Sequence, residues 1–130
     1  MAALTERDRE VVGICLRAAA SDRIFDHDVE YPTIFGLLPE EVAIVAAAWP
    51  EPPQRDGLRR GLDADHVQRL AVSNALANLL GYPHGYHSAF ERFVGVAEGE
   101  VRAVSDRWRL ATGAAPSDRD DDERTDEREV

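Results

Sequence analysis

The only two tryptophans of this 130-residue chain stand at the same distance from a glycine, and no other feature constrains the fold as much. YPTIFGLLPEEVAIVAAAW (Tyr31 to Trp49) and FERFVGVAEGEVRAVSDRW (Phe90 to Trp108) align without a gap at an offset of 59. They share Gly36/Gly95, Glu41/Glu100, Val42/Val101, Val45/Val104 and Trp49/Trp108. Helical patterning repeats valines readily, but it does not fix a tryptophan relative to a glycine. Each copy reads as a short aromatic helix, a glycine that closes it in a left-handed conformation, and a second helix with acids at its positive end. Pro39 suits the first turn of the earlier copy, where its missing N–H costs nothing.

A longer helix precedes each copy. The first opens at the capping sequence TERD (Thr5 to Asp8) and gathers Val11, Ile14, Cys15 and Ala18 on one face. The second spans about Asp63 to Leu80, with apolar residues on two faces. The expectation is an all-α fold: a tandem of two three-helix units, about 1–56 and 62–110, around that central helix. A proline- and arginine-rich linker, 50–61, joins them within one domain, 1–115. From Pro116 onward eight acids and three arginines leave almost nothing to bury, so 116–130 reads as a disordered acidic tail.

Charge and cysteine usage narrow the function. Twenty-five acids against fifteen basic residues, all arginine, give a net charge of −10. Such a balance disfavours nucleic acid, whose binding requires phosphate neutralisation. The lone Cys15 excludes an internal disulfide and reads as a small core residue. No apolar run reaches the roughly twenty residues of a membrane span, and the first residues lack a signal-peptide core, so a cytoplasmic protein is expected. A chain this long buries enough apolar surface to fold without a metal, and no cofactor is expected.

The stretch SNALANLLGYPHGYH (Ser73 to His87) holds the candidate site. Asn74 and Asn78 fall within an apolar face of the central helix, so their amides require partners. The loops GYPHGYH and SDRIFDHDVEYP are the expected sources, and with His84 and His87 the asparagines form a loop-stapling or ligand-binding polar cluster. A metal reading of the same loops uses His84, His87, His66, Asp26, His27 and Asp28, whose imidazoles and carboxylates suit Zn, Fe or Mn. Glycine-rich phosphate loops, G-x-S-x-G and C-x-x-C are absent from the sequence, and no catalytic residue is assigned. Ser88 reads as the cap of the second short helix.

The glycine, the following apolar residue and the valines six and nine positions on also have helix-turn-helix spacing. The second helices, however, offer alanine or acids to a groove. Helix 40–49 differs from its counterpart in a further way. Ala43, Ile44, Ala47 and Ala48 make its outer face apolar, where Arg102, Asp106 and Arg107 make the other polar. A helix apolar all round is expected to be buried all round, by the central helix or by a second molecule. The leading expectation is a helical interaction or accessory protein without catalysis, acting through a protein partner or as a homodimer. The alternative is a metal- or small-ligand-binding protein or an enzyme using the loops of His84/His87 and Asp26/His27/Asp28, and the third reading is DNA binding.

SNALANLLGYPHG also resembles a string, close to N-N-A-L-N-N-L-L-G-Y-P-H-G, of a family of small helical proteins from actinomycetes and other GC-rich bacteria. Ser73 and Ala77 stand where that pattern has asparagine, so Asn74 and Asn78 alone carry over. The resemblance implies a recurring domain and brings no activity with it.

Overall fold

Thr5 and Asp8 start the first helix by exchanging hydrogen bonds: the Thr5 hydroxyl accepts from the Asp8 N–H at 3.0 Å and the Asp8 carboxylate accepts from the Thr5 N–H at 3.1 Å. The computed structural model describes residues 4–113, and every regular element among them is helical. The helices are α1 (Glu6–Ala20), α2 (Tyr31–Phe35), α3 (Pro39–Ala48), α4 (Ala64–Gly81), α5 (Phe90–Val94) and α6 (Glu98–Thr112). Single 3-10 turns occupy Arg55–Gly57 and His87–Ala89. The expected acidic tail, 116–130, lies outside the described residues.

Both short helices end on a left-handed glycine, Gly36 at φ 70° and Gly95 at φ 105°. Asp63 caps α4 by accepting the His66 N–H at 2.9 Å. α4 then buries Val72, Leu76 and Leu79 on one side and Val67, Ala71 and Ala75 on the other. That two-sided burial places it at the centre, beside α1, whose Val11, Val12, Cys15, Leu16 and Ala19 are all fully buried. α3 packs on α1 and α6 on α4. The short helices cross over: α2 lies on α4 and α5 on α1. The contacts therefore do not separate into two self-contained three-helix groups.

Arg107 is exposed on α6, as expected, and it also donates to both Asp8 carboxylate oxygens, at 2.7 and 2.9 Å. Asp8 is only 2% exposed, and a carboxylate at such a site requires a positive partner. Ser88 does not cap a helix; it sits inside a 3-10 turn, and no side-chain bond caps α5. On α3 a cover not expected from the sequence lies over Ile44: the linker, where a Cβ added at Gly57 would stand 2.7 Å from Ile44 Cδ1. Pro53 and Leu58 of the same linker are buried. Ile44 and Ala48 are thereby half-buried, whereas Ala43 and Ala47 stay exposed. An alanine needs no cover as urgently as an isoleucine, because its methyl group buries little area.

Candidate functional site

The α4 asparagines reach neither of the two loops expected to receive them. Asn74 donates its amide to Phe35 O at 2.6 Å, and Asn78 donates to Ile34 O at 3.0 Å and to Asn74 O at 2.8 Å. The acceptors are carbonyls at the C-terminal end of α2, which a five-residue helix leaves without internal partners. Gly36 supplies the left-handed turn at φ 70° that ends α2 there, and a Cβ on it would meet Leu70 at 3.4 Å and the Asn74 amide at 3.7 Å, ordinary contact distances.

His84 and His87 occupy the loop after α4, turned at Gly85 with φ 88°. The hydrogen bonds set the His84 tautomer: Nε2–H donates to Leu79 O at 3.0 Å and Nδ1 accepts the Tyr86 N–H at 3.1 Å. His87 Nε2 faces Tyr82 O at 2.9 Å and Nδ1 faces the Glu98 carboxylate at 3.4 Å, so both nitrogens look onto acceptors. The rings stack at 4.2 Å between centroids, and His84 meets Phe25 edge-on at 5.7 Å.

The remaining metal candidates do not converge on this pair. His66 is exposed at the first turn of α4, beside a different groove formed with Arg69, Leu70 and Thr112. His27 is exposed and meets the Tyr31 ring at 5.3 Å. Asp26 and Asp28, with Glu30, do share a groove of about 200 Å3 with Tyr31, Tyr82 and His84, so the two inter-helix loops meet there. Glu30 raises the Tyr82 pKa through a hydrogen bond to its phenol, and burial and the charges of Glu30, Asp28 and Asp26 raise it further. Among the described residues no three His, Cys, Asp or Glu side chains are grouped as a metal ion would need. His84 has no lone pair to give, since its Nδ1 is already an acceptor and its Nε2 carries the proton.

Two buried acids fix helix starts and bind arginines. Burial is the largest influence on Glu41 and would raise its pKa. The Arg59 guanidinium, with the Leu38 and Arg59 N–H groups, nevertheless brings it below its ordinary value. For Asp8 the hydrogen bonds from Arg107 dominate and lower the pKa. Cys15 is buried and its pKa is pushed up to about 12, which removes the thiolate a reactive role requires.

The candidate interface is more open. Ala43 and Ala47 of α3 form, with Ala46, Arg17, Ala20 and Ser21, a mainly apolar groove of about 350 Å3 between α3 and the end of α1. Sequence reasoning missed the α1 wall of this groove, because Arg17 and Ala20 fall outside the repeated segment. The arrangement offers a place for an apolar side chain and no reacting group. Fold and site together define a small all-α protein in which imidazoles and amides serve hydrogen bonding. No family model matches the chain, and no curated protein or solved structure matches it.

Proposed function

We propose that this chain is a small cytoplasmic helical interaction protein without catalysis of its own, docking a protein partner or a second copy through the α1–α3 groove. The observation that carries the reading is the exposure of Ala43 and Ala47 in a shallow, mainly apolar groove. An exposed apolar depression is a place where an interface can anchor a side chain. The histidine loop supports it indirectly, since the His84 ring nitrogens are both engaged.

The same proposal takes the chain as a tandem of equivalent halves, 59 residues apart, whose short helices are exchanged. The crossing of α2 onto α4 and of α5 onto α1 fits an approximate two-fold axis. So do two contacts between equivalent positions: Trp49 with Trp108, ring centroids 6.3 Å apart, and Phe25 with His84 at 5.7 Å. Equivalent residues touch only near such an axis. The groove equivalent to that of Ala43, Ala46 and Ala47 then lies beside α6 and is lined by Arg102, Ser105 and Asp106. The apolar version is thus a departure confined to one half.

Sedimentation of the wild type and Ala47→Glu tests the docking surface, together with capture of partners from the native host. A folded variant that loses a dimer or a captured partner supports the reading. Unchanged association in Ala47→Glu overturns it. The competing ligand-binding reading rests on the groove shared by Asp26, Asp28 and His84. Stoichiometric metal in untagged protein, lost in His84→Ala/His87→Ala, would establish it instead.

A further inference from the structure

Resting on the docking groove above, we propose that its occupant is an acidic peptide segment with an apolar anchor, its carboxylates held by Arg17, Arg23 and Arg92. Arg17 and Arg23 line a second groove, of about 210 Å3, that adjoins the first, since Arg17 and Ser21 line both. Phe93 lines it as well. The Arg23 guanidinium sits 5.7 Å from the Phe93 ring centroid and that of Arg92 sits 5.8 Å away. The aromatic ring attracts both cations.

Arg7, Arg59, Arg102 and Arg107 each have a carboxylate partner within 4.0 Å. The other eight arginines among the described residues have none, and three of these, Arg17, Arg23 and Arg92, lie together beside Phe93, although the whole chain carries a net charge of −10. The end of the α1 dipole accounts for Arg17. Arg92 stands likewise in the last turn of α5, and Arg23, beyond α1, has no such helix end. Three unpaired cations beside an apolar groove are complementary to a ligand with carboxylates next to an apolar side chain.

The surroundings favour a peptide over an anionic membrane. The exposed large apolar side chains among the described residues, Val29 and Leu110, line neither groove. A peripheral membrane site would present such side chains outward. The chain's own 116–130 stretch is acidic but has only Pro116 and Val130 as apolar residues, too few to anchor it in the alanine groove.

Selection of random 12-residue peptides against the full chain tests the inference. The selected peptides are then measured against Ala47→Glu and against Arg17→Gln/Arg23→Gln/Arg92→Gln, with circular dichroism to establish folding. The expected peptides combine Asp or Glu with Leu, Ile or Phe. They should bind the arginine variant about tenfold more weakly than the wild type, and weaken with salt. Neutral or basic peptides that depend on Ala47 but not on the arginines overturn the acidic occupant and leave the docking groove standing. Peptides indifferent to both variants, or no selected peptide, overturn the acidic peptide as occupant, and the docking groove itself then stands or falls on the sedimentation of Ala47→Glu. Recruitment to phosphatidylserine vesicles through the three arginines, without peptide binding, replaces the peptide with a membrane.

Discussion

α2 and α5 are both five residues long, both end on a left-handed glycine, and both lie on a long helix, yet they are held differently. α4 offers Asn74 and Asn78 to the end carbonyls of α2. At the equivalent positions, 59 residues earlier, α1 offers Cys15 and Ala19, which have no amide to give. There the approach is steric: a Cβ at Gly95 would come 3.3 Å from Ile14 Cγ2. One seat is therefore fixed by direction and the other by shape. Hydrogen bonds tolerate little displacement, whereas apolar packing permits a groove alongside, and the groove with Arg17 and Phe93 lies along α5.

Removing the polar seat should have the largest effect. Asn74→Leu/Asn78→Leu is expected to lower stability by about 2–5 kcal/mol, because it strands the Ile34 and Phe35 carbonyls. Urea unfolding gives the magnitude. Amide exchange at Gly36 against Gly95 gives the location, and equal acceleration at both would erase the distinction between the seats.

Asp8→Asn comes next, at about 1–3 kcal/mol near neutral pH, since it breaks the tie from α1 to α6. The Asp8 pKa is lowered from 3.8 in the folded protein, so its contribution is fully present above that value and fades as pH falls through the lower folded pKa. Acid titration of stability should accordingly be shallower in Asp8→Asn than in the wild type.

What was legible beforehand follows from distance along the chain. The Val42/Val45 and Val101/Val104 spines, both short helices and the Thr5 cap are local patterns, and all are present as helical faces or caps. Asp8 with Arg107, Glu100 with Arg7 and Asn78 with Ile34 join distant residues, and no period reveals which exposed-looking arginine a buried acid will meet. The linker over Ile44 was hidden for another reason. Its prolines and arginines look solvated in composition, while burial of Pro53 and Leu58 depends on where the chain is led. At the candidate site the residue types were readable but their partners were not. The loop histidines and the α4 asparagines bond to backbone carbonyls, and a carbonyl has no sequence signature.

Cys15→Ser carries the comparison into the apolar seat, placing a hydroxyl where none is bonded. A loss of about 1–3 kcal/mol is expected. In the wild type a thiol reagent should react only at the rate of unfolding; prompt reaction would mean that the α1–α5 contact opens on its own. The smallest effect belongs to Ala47→Glu, expected within about 0.5 kcal/mol because the residue is exposed. A larger loss in its thermal melt would place Ala47 in the core and remove the docking groove.

The meeting of Trp49 and Trp108 also gives the molecule an optical property. Each indole is held by its N–H, Trp49 donating to Arg9 O at 2.7 Å and Trp108 to the Ser73 hydroxyl at 3.0 Å. With centroids 6.3 Å apart and planes inclined by 63°, their electronic transitions are coupled and excitation passes between them. The pair therefore contributes to the near-ultraviolet circular dichroism of the chain, beside its three tyrosines. It registers the spacing of α3 and α6, so a ligand that shifts either helix changes a spectrum of the native, unlabelled protein.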